Sequence, residues 1–292
     1  SLPDHEEQEL WFSALAADDS CAYNVDKAFD RFVSRTQQKR RTVFNIPKIV
    51  YGAAAVILLL IASTISYWWG ERQLQNQFAD ILVEAPLGAK TKLILPDSTL
   101  VWLNAGSKIV YSQGFGVKDR HLRLNGEAYF EVAKDSLNRF VVQAGDLAVE
   151  ALGTSFNVKA YEEDNQAVVT LFQGKVKTSV GRDEAFLLPD QAVTYLKNKG
   201  QLKKSTLNDA YRACLWRNNE LAFNDEALSE IAVLLNRMYN IQVVFKSEKV
   251  KALRFTGVIT NNSLDNIIEL ISLTSPIIYT SKGDTIIIDE KK

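Results

Sequence analysis

IVYGAAAVILLLIASTISYWWG, residues 49 to 70, is the stretch on which the reading of the whole chain turns. No charged side chain interrupts it. At about 1.5 Å rise per residue, the roughly twenty residues from Ile49 to Trp68 match the ~30 Å hydrocarbon core of a bilayer. A helix is also the open segment that satisfies its own backbone in lipid. A buried core helix would carry polar positions at helical spacing, and a signal peptide would have a shorter apolar run close to the N-terminus and a small-residue cleavage site. Lys39, Arg40, Arg41 and Lys48 precede the run, and only Glu71 and Arg72 follow it closely. The excess of positive charge before the run predicts a cytoplasmic N-terminus, with Tyr67, Trp68 and Trp69 as an aromatic belt at the outer interface. The expected layout is a cytoplasmic segment over 1–47, a transmembrane helix over 48–70, a linker over 71–82 and an exoplasmic remainder.

The chain has 292 residues, enough for about two domains beside the span. A net charge of −1 gives no field that would favour nucleic acid, so direct nucleic-acid binding is not expected. The two cysteines, Cys21 and Cys214, fall on opposite sides of the predicted span, so the fold is not a disulfide scaffold. The only methionine is Met238, and a native start further upstream is expected.

Before the span, Leu10, Trp11, Ala14 and Leu15 form one stripe at helical spacing, and Val25, Phe29, Phe32 and Val33 form another. Asn24 or Asp26 is placed to cap the second helix. So short a segment buries little core alone. Its aromatic stripes pack on each other as a helical hairpin or enter the groove of another protein, with Trp11, Phe29 and Phe32 as anchors.

After the span, residues 83–205 read as short strands separated by turn signals such as Pro96-Asp97, Asn104-Ala105-Gly106, Asn125-Gly126, Gln173-Gly174 and Pro189-Asp190. Strands at this spacing, without helices between them, predict a mostly-β sandwich, barrel or solenoid-like domain. His121 is the only histidine after the span, so neither a metal cluster nor a cofactor site is expected. Glu127 and Glu131 share a strand face and are expected as solvated positions rather than an acid–base pair. Cys214, beside Leu215 and Trp216, is expected as a small buried hydrophobe.

Residues 206–292 contain a repeat. Strand, helix, strand occurs twice, followed by a last strand over DTIIIDE. The halves align without a gap, so that Leu228, Ile231, Leu234 and Ile241 match Leu264, Ile267, Leu270 and Ile277. Asn224 or Asp225 and Asn262 or Ser263 stand at the expected helix starts. This predicts an α+β module with two helices on one face of a sheet and no Gly-rich phosphate loop.

Five motifs in order carry a resemblance: LPDSTLVWLNAGS (95–107), LNGEAYFEVAKD (124–135), LGTSFNVKAY (152–161), LLPDQ (187–191) and WRNNELAFND (216–225). Together they resemble the FecR family of transmembrane anti-sigma regulators, from about Val83 to the C-terminus. Ser98, Asp190 and Asn219 stand where the family pattern often has glycine. Asn and Asp tolerate the left-handed backbone that glycine supplies, and the fold is expected to survive all three changes.

The resemblance implies a signalling chain. The signalling domain of an outer-membrane TonB-dependent transporter would engage the periplasmic part, whose C-terminal module is similar to the secretin and TonB short N-terminal domain. The cytoplasmic segment would bind an extracytoplasmic-function (ECF) sigma factor, through Leu10, Trp11, Phe29, Phe32 and Val33. The protein would sit in the inner membrane, and periplasmic and intramembrane proteases would be further partners. Some relatives cut themselves at a Gly-Thr pair, which makes Gly153 and Thr154 a candidate self-cleavage site; the alternative is a strand–turn–strand corner in which Thr154 hydrogen-bonds the turn. The competing class is a membrane-anchored periplasmic enzyme or cell-wall binding protein, which would need a convergent set of titratable groups.

Overall fold

The structure, a computed structural model, describes residues 25–36, 48–75, 79–260 and 263–291. Leu10 and Trp11 lie outside them. The chain divides into two units, Ser1–Trp69 and Gly70–Lys292.

In the first unit, helix α1 spans Val25–Thr36, with Asp26 in its first turn and Arg35 in its last, charges that complement the helix dipole. Asp26 is therefore inside the helix and not its cap. Helix α2, Lys48–Gln75, runs for 28 residues through the apolar stretch. Among the described residues, no helix is long and apolar enough to cross a membrane. The side chains of 48–51, 53, 54 and 69–75 lie outside those residues.

The second unit opens with thirteen strands: β1 (Asp80–Ala85), β2 (Thr91–Ile94), β3 (Leu100–Leu103), β4 (Ser107–Ser112), β5 (Arg120–Glu131), β6 (Phe140–Ala144), β7 (Leu147–Ala151), β8 (Ser155–Ala160), β9 (Gln166–Gln173), β10 (Val176–Val180), β11 (Asp183–Leu187), β12 (Gln191–Leu196) and β13 (Gln201–Thr206). The stretch read as a linker is shorter than expected, because α2 runs on to Gln75 and β1 already begins at Asp80.

Strand β5 organises these strands into two layers. Its first half pairs with β4 and, in parallel, with β6. Its second half, from Gly126, pairs with β3 and β8. The partners change at Gly126, where φ is +116° and a Cβ would stand 2.3 Å from the Ser107 hydroxyl, so only glycine fits. One layer is β1-β4-β5-β6-β7-β10-β11 and the other is β2-β3-β5-β8-β9-β12-β13. Alternate residues of each strand face inward, as the period of two requires. The layers meet through Phe130, whose ring stacks on Phe156 at 5.1 Å and meets Phe140 edge-on at 5.7 Å.

Ser98, Asp190 and Asn219 have φ of +69°, +62° and +61°, the left-handed conformation that glycine would have taken. At the first, the Asp97 carboxylate accepts from both the amide and the hydroxyl of Thr99, which holds the turn in shape.

A 3-10 helix, Ala210–Asn218, follows β13; Asp209 caps it by accepting from the Tyr211 amide. The C-terminal module then runs β14 (Leu221–Ala227), α3 (Leu228–Tyr239), β15 (Gln242–Phe245), α4 (Glu248–Ala252), β16 (Arg254–Ile259), α5 (Leu264–Thr274), β17 (Ile277–Lys282) and β18 (Thr285–Glu290). The repeat is visible in the pairing: β14 and β16, the first strands of the halves, pair with each other, while β15 and β17, the second strands, flank β18. Ile231, Ile267, Ile241 and Ile277 are buried in its core, whereas Leu270 is exposed although its counterpart Leu234 packs against that core.

Two details differ from the expectation. The strands form two small sheets rather than one, with the short helix α4 added. The first cap is neither Asn224 nor Asp225 but Ala227, whose amide is satisfied by Glu230 reaching back at 3.2 Å; Asp225 is instead a left-handed residue in a bulge of β14. Ser263 caps α5 as expected, accepting from Asn266.

Candidate functional site

The groups brought together most densely lie where the β layers meet the C-terminal module. The outer face of the second layer carries Trp102, Tyr129 and Asn157 in one row, each opposite the next. The 3-10 helix lies over this row with Cys214 and Trp216 inward, forming a small apolar cluster with Tyr129. Trp216 Nε1 donates to Asn157 Oδ1 at 3.3 Å. The Arg217 guanidinium lies 3.6 Å from the centre of the Tyr129 ring and 5.2 Å from that of Trp102, a favourable contact for a desolvated cation.

Glu127 corrects the expectation of a solvated position: it is only 8% exposed. Its two oxygens accept from Asn157 Nδ2 at 2.9 Å and Asn104 Nδ2 at 2.8 Å. A buried carboxylate needs such partners. Asn157 thus accepts from Trp216 with one end and donates to Glu127 with the other. Lys90 donates to the Trp216 carbonyl and to Asn219 Oδ1, and burial lowers the pKa of its amine, partly offset by the Glu127 charge.

A second junction lies at the end of α3. Arg237 holds Asp164 with two nitrogens, at 2.6 and 3.2 Å, and Glu163 at 2.8 Å. Its guanidinium lies 3.7 Å from the centre of the Tyr161 ring, and its carbonyl accepts from the Gly88 amide at 2.8 Å. Burial, and next the Glu127 charge, push the Tyr161 phenol well above its usual pKa. It remains a donor, to the Ala105 carbonyl.

The described residues singled out from the sequence fall on α1 and on a loop of the β domain. Phe29 and Phe32 are 64% and 65% exposed on α1, and with Val33 they occupy spacings that share a helix face. Gly153 and Thr154 lie on the loop between β7 and β8. Gly153 has φ of +150°, and a Cβ there would stand 2.7 Å from the Lys134 side chain. Thr154 is buried, and its hydroxyl has no hydrogen-bond partner among the described residues, so it does not bond the turn as the ordinary corner would have it. Cys214 is buried as expected; burial raises its thiol pKa, against the pull of Arg217. Among the described residues, no group of His, Cys, Asp and Glu is arranged to hold a metal ion. Sequence reasoning missed Arg237, Asp164, Asn157 and Lys90. Their side-chain partners are 30 to 129 residues away and no local pattern links them.

The strand residues of both junctions and Arg237 fall in regions that known families share, while Cys214, Trp216, Arg217 and Asn219 lie between those regions. Residues 82–177 match the FecR protein family and residues 220–288 match the C-terminal FecR family. No curated protein matches the chain. Two crystal structures, at 1.65 and 2.50 Å resolution, of a protein described as a candidate anti-sigma factor from Parabacteroides distasonis ATCC 8503 are similar to it. Each is 30% identical with a TM-score of 0.68, over 73% of this chain and 100% of that one. The order of the two family regions, the shared fold and this identity lead to one conclusion: the chain belongs to the FecR family of anti-sigma factors.

Proposed function

We propose that the chain is a single-pass inner-membrane regulator. The segment before α2 binds an ECF sigma factor in the cytoplasm, α2 crosses the membrane, and the periplasmic unit receives the signalling domain of a TonB-dependent outer-membrane transporter. The observation that carries this reading is α1: a twelve-residue helix with two exposed phenylalanines on one face, ahead of a 28-residue helix through an uncharged run. A short amphipathic helix of this kind is suited to the groove of a partner. On the far side, free strand edges at β15 and β17 suit strand addition by the transporter's domain. Co-purification of the full chain from membranes with a sigma factor, and loss of that factor on Phe29→Ala and Phe32→Ala, tests the reading.

Self-cleavage at Gly153–Thr154 belongs to the same proposal. The Thr154 Oγ1 attacks the Gly153 carbonyl carbon, the C–N bond breaks, and the proton from the hydroxyl passes to the freed amine, leaving an ester. Water then hydrolyses the ester to a Gly153 carboxylate and the Thr154 hydroxyl. The buried hydroxyl without a partner and the glycine held against Lys134 support this chemistry. Both new ends would stay in place, because β7 and β8 belong to layers that share one core.

A further inference from the structure

The geometry points to a lipid-binding face on the β domain: the end of the two layers nearest the chain's entry from α2 carries exposed aliphatic side chains that dip into the outer surface of the bilayer. This rests on α2 crossing the membrane.

The registers place a set of strand ends together. In the first layer Asp80, the start of β1, is opposite Ser112; Arg120 is beside Phe140; Phe140 is opposite Ala151; and Ala151 and Leu187 are both opposite Val176. In the second layer Ile94 is opposite Leu100, Leu100 opposite Glu131, and Glu131 opposite Ser155. Cross-links join the two sets. Buried Arg120 donates to the Asp97 carboxylate at 3.1 Å and to the carbonyls of Ala133 and Asn138, and the Asp135 amide donates to the Leu152 carbonyl. The loops that close this end therefore form one tied surface.

That surface is unusually apolar. Val117 is 94% exposed and Leu137 90%, and Ile94, Leu152 and Leu188 are exposed beside strand ends of the same set. Lys118, Lys134 and Lys175 are exposed in the same loops, as cations facing anionic headgroups should be. Of the acids nearby, Asp97 pairs with Arg120, Asp135 accepts from the Leu137 and Asn138 amides, Asp80 pairs with Arg123 and Glu131 with Arg217, while Asp190 is exposed beside Leu188. The opposite end of the layers holds Asp164 and receives the C-terminal module through Arg237.

The chain says what covers the apolar end. Residues 76–79 alone separate Gln75, the end of α2, from Asp80. Fully extended, that link reaches about 17 Å. Residues 71–75 of α2 add about 8 Å beyond the span, so the end that begins with Asp80 is held within about 25 Å of the bilayer, and aliphatic tips with lysines beside them suit the boundary between headgroups and acyl chains.

Spin labels on the full chain in single-copy nanodiscs containing phosphatidylglycerol test this. With Cys21→Ser as background and Cys214 buried, cysteines replace Val117, Leu137, Ser63 in α2 and Lys199 at the far end, one at a time. Oxygen and a water-soluble nickel complex serve as collision probes. Labels at 117 and 137 are expected to meet oxygen more often than nickel, and the label at 199 the reverse. Nickel dominance at both 117 and 137, with oxygen dominance at 63, overturns the lipid face and leaves the span standing. Nickel dominance at 63 overturns the span, and the lipid face with it.

Discussion

Arg237 and Asp164, 73 residues apart, form a two-nitrogen ion pair at 2.6 and 3.2 Å that joins the end of α3 to the loop after β8. With Arg237 buried, this pair sets the position of the C-terminal module on the β domain. Arg237→Ala leaves Asp164 without its main partner and removes the cation from the Tyr161 ring. Breaking a buried pair from one side costs about 3–5 kcal/mol; Asp164 is partly solvated here, so we expect about 2–3. Chemical denaturation of the full chain in detergent would show the loss as a separate earlier transition of the module. A single unshifted transition would contradict the role of the pair.

Asn157→Ala removes one donor from buried Glu127 and the acceptor of Trp216 Nε1 together. Hydrogen bonds to a charged group contribute about 1.5–3 kcal/mol, and a stranded partner adds its desolvation. The expected loss is about 3 kcal/mol, with the Trp216 indole becoming accessible to a fluorescence quencher. An unchanged stability would mean that water replaces the amide without cost.

Glu226 gives a pH dependence. Burial, then the Glu230 charge, raise its pKa above the usual value. With the folded pKa above the unfolded one, the folded state binds more protons between the two values, so stability falls as pH rises through that window. Glu226→Gln should therefore stabilise the chain at pH 7, and this gain should vanish below the ordinary carboxylate pKa, near pH 4. Melting temperatures of both proteins across pH 4 to 8 check this; a gain that persists at the acid end would place its origin in packing rather than in charge.

Cleavage at Gly153–Thr154 is read from denaturing gels. The wild-type chain should yield two fragments that co-purify under native conditions, and Thr154→Ala should yield one band. A wild-type chain that remains intact would leave the Thr154 hydroxyl as a buried group with no chemistry.

What the sequence conveyed was what is encoded locally. Ser98, Asp190 and Asn219 took the left-handed backbone because turn geometry belongs to a few adjacent residues. The repeat was legible because Ile231 and Ile267 fill equivalent core positions at helical spacing. Glu127 was misread because the amides that satisfy it lie 23 and 30 residues away, on other strands. The cap at Ala227 was missed because its partner is the side chain of Glu230, so the capping residue itself shows no polar signal. The apolar end of the β domain was invisible for a related reason: Val117, Leu137 and Leu152 come from separate loops, and only the strand registers bring those loops together.

The central claim, that the segment before the apolar helix holds a sigma factor, is tested most directly by capture. Full-length tagged chain is purified from solubilised membranes of its native host, beside the Phe29→Ala, Phe32→Ala double variant, and bound proteins are identified by mass spectrometry. Loss of one anchor typically costs about 2 kcal/mol or more, so the double variant should retain little partner. The account predicts an ECF sigma factor with the wild-type chain, reduced at least tenfold with the double variant at equal bait and equal helix content. Absence of any sigma factor from the wild-type eluate, or equal recovery with both chains, would contradict it.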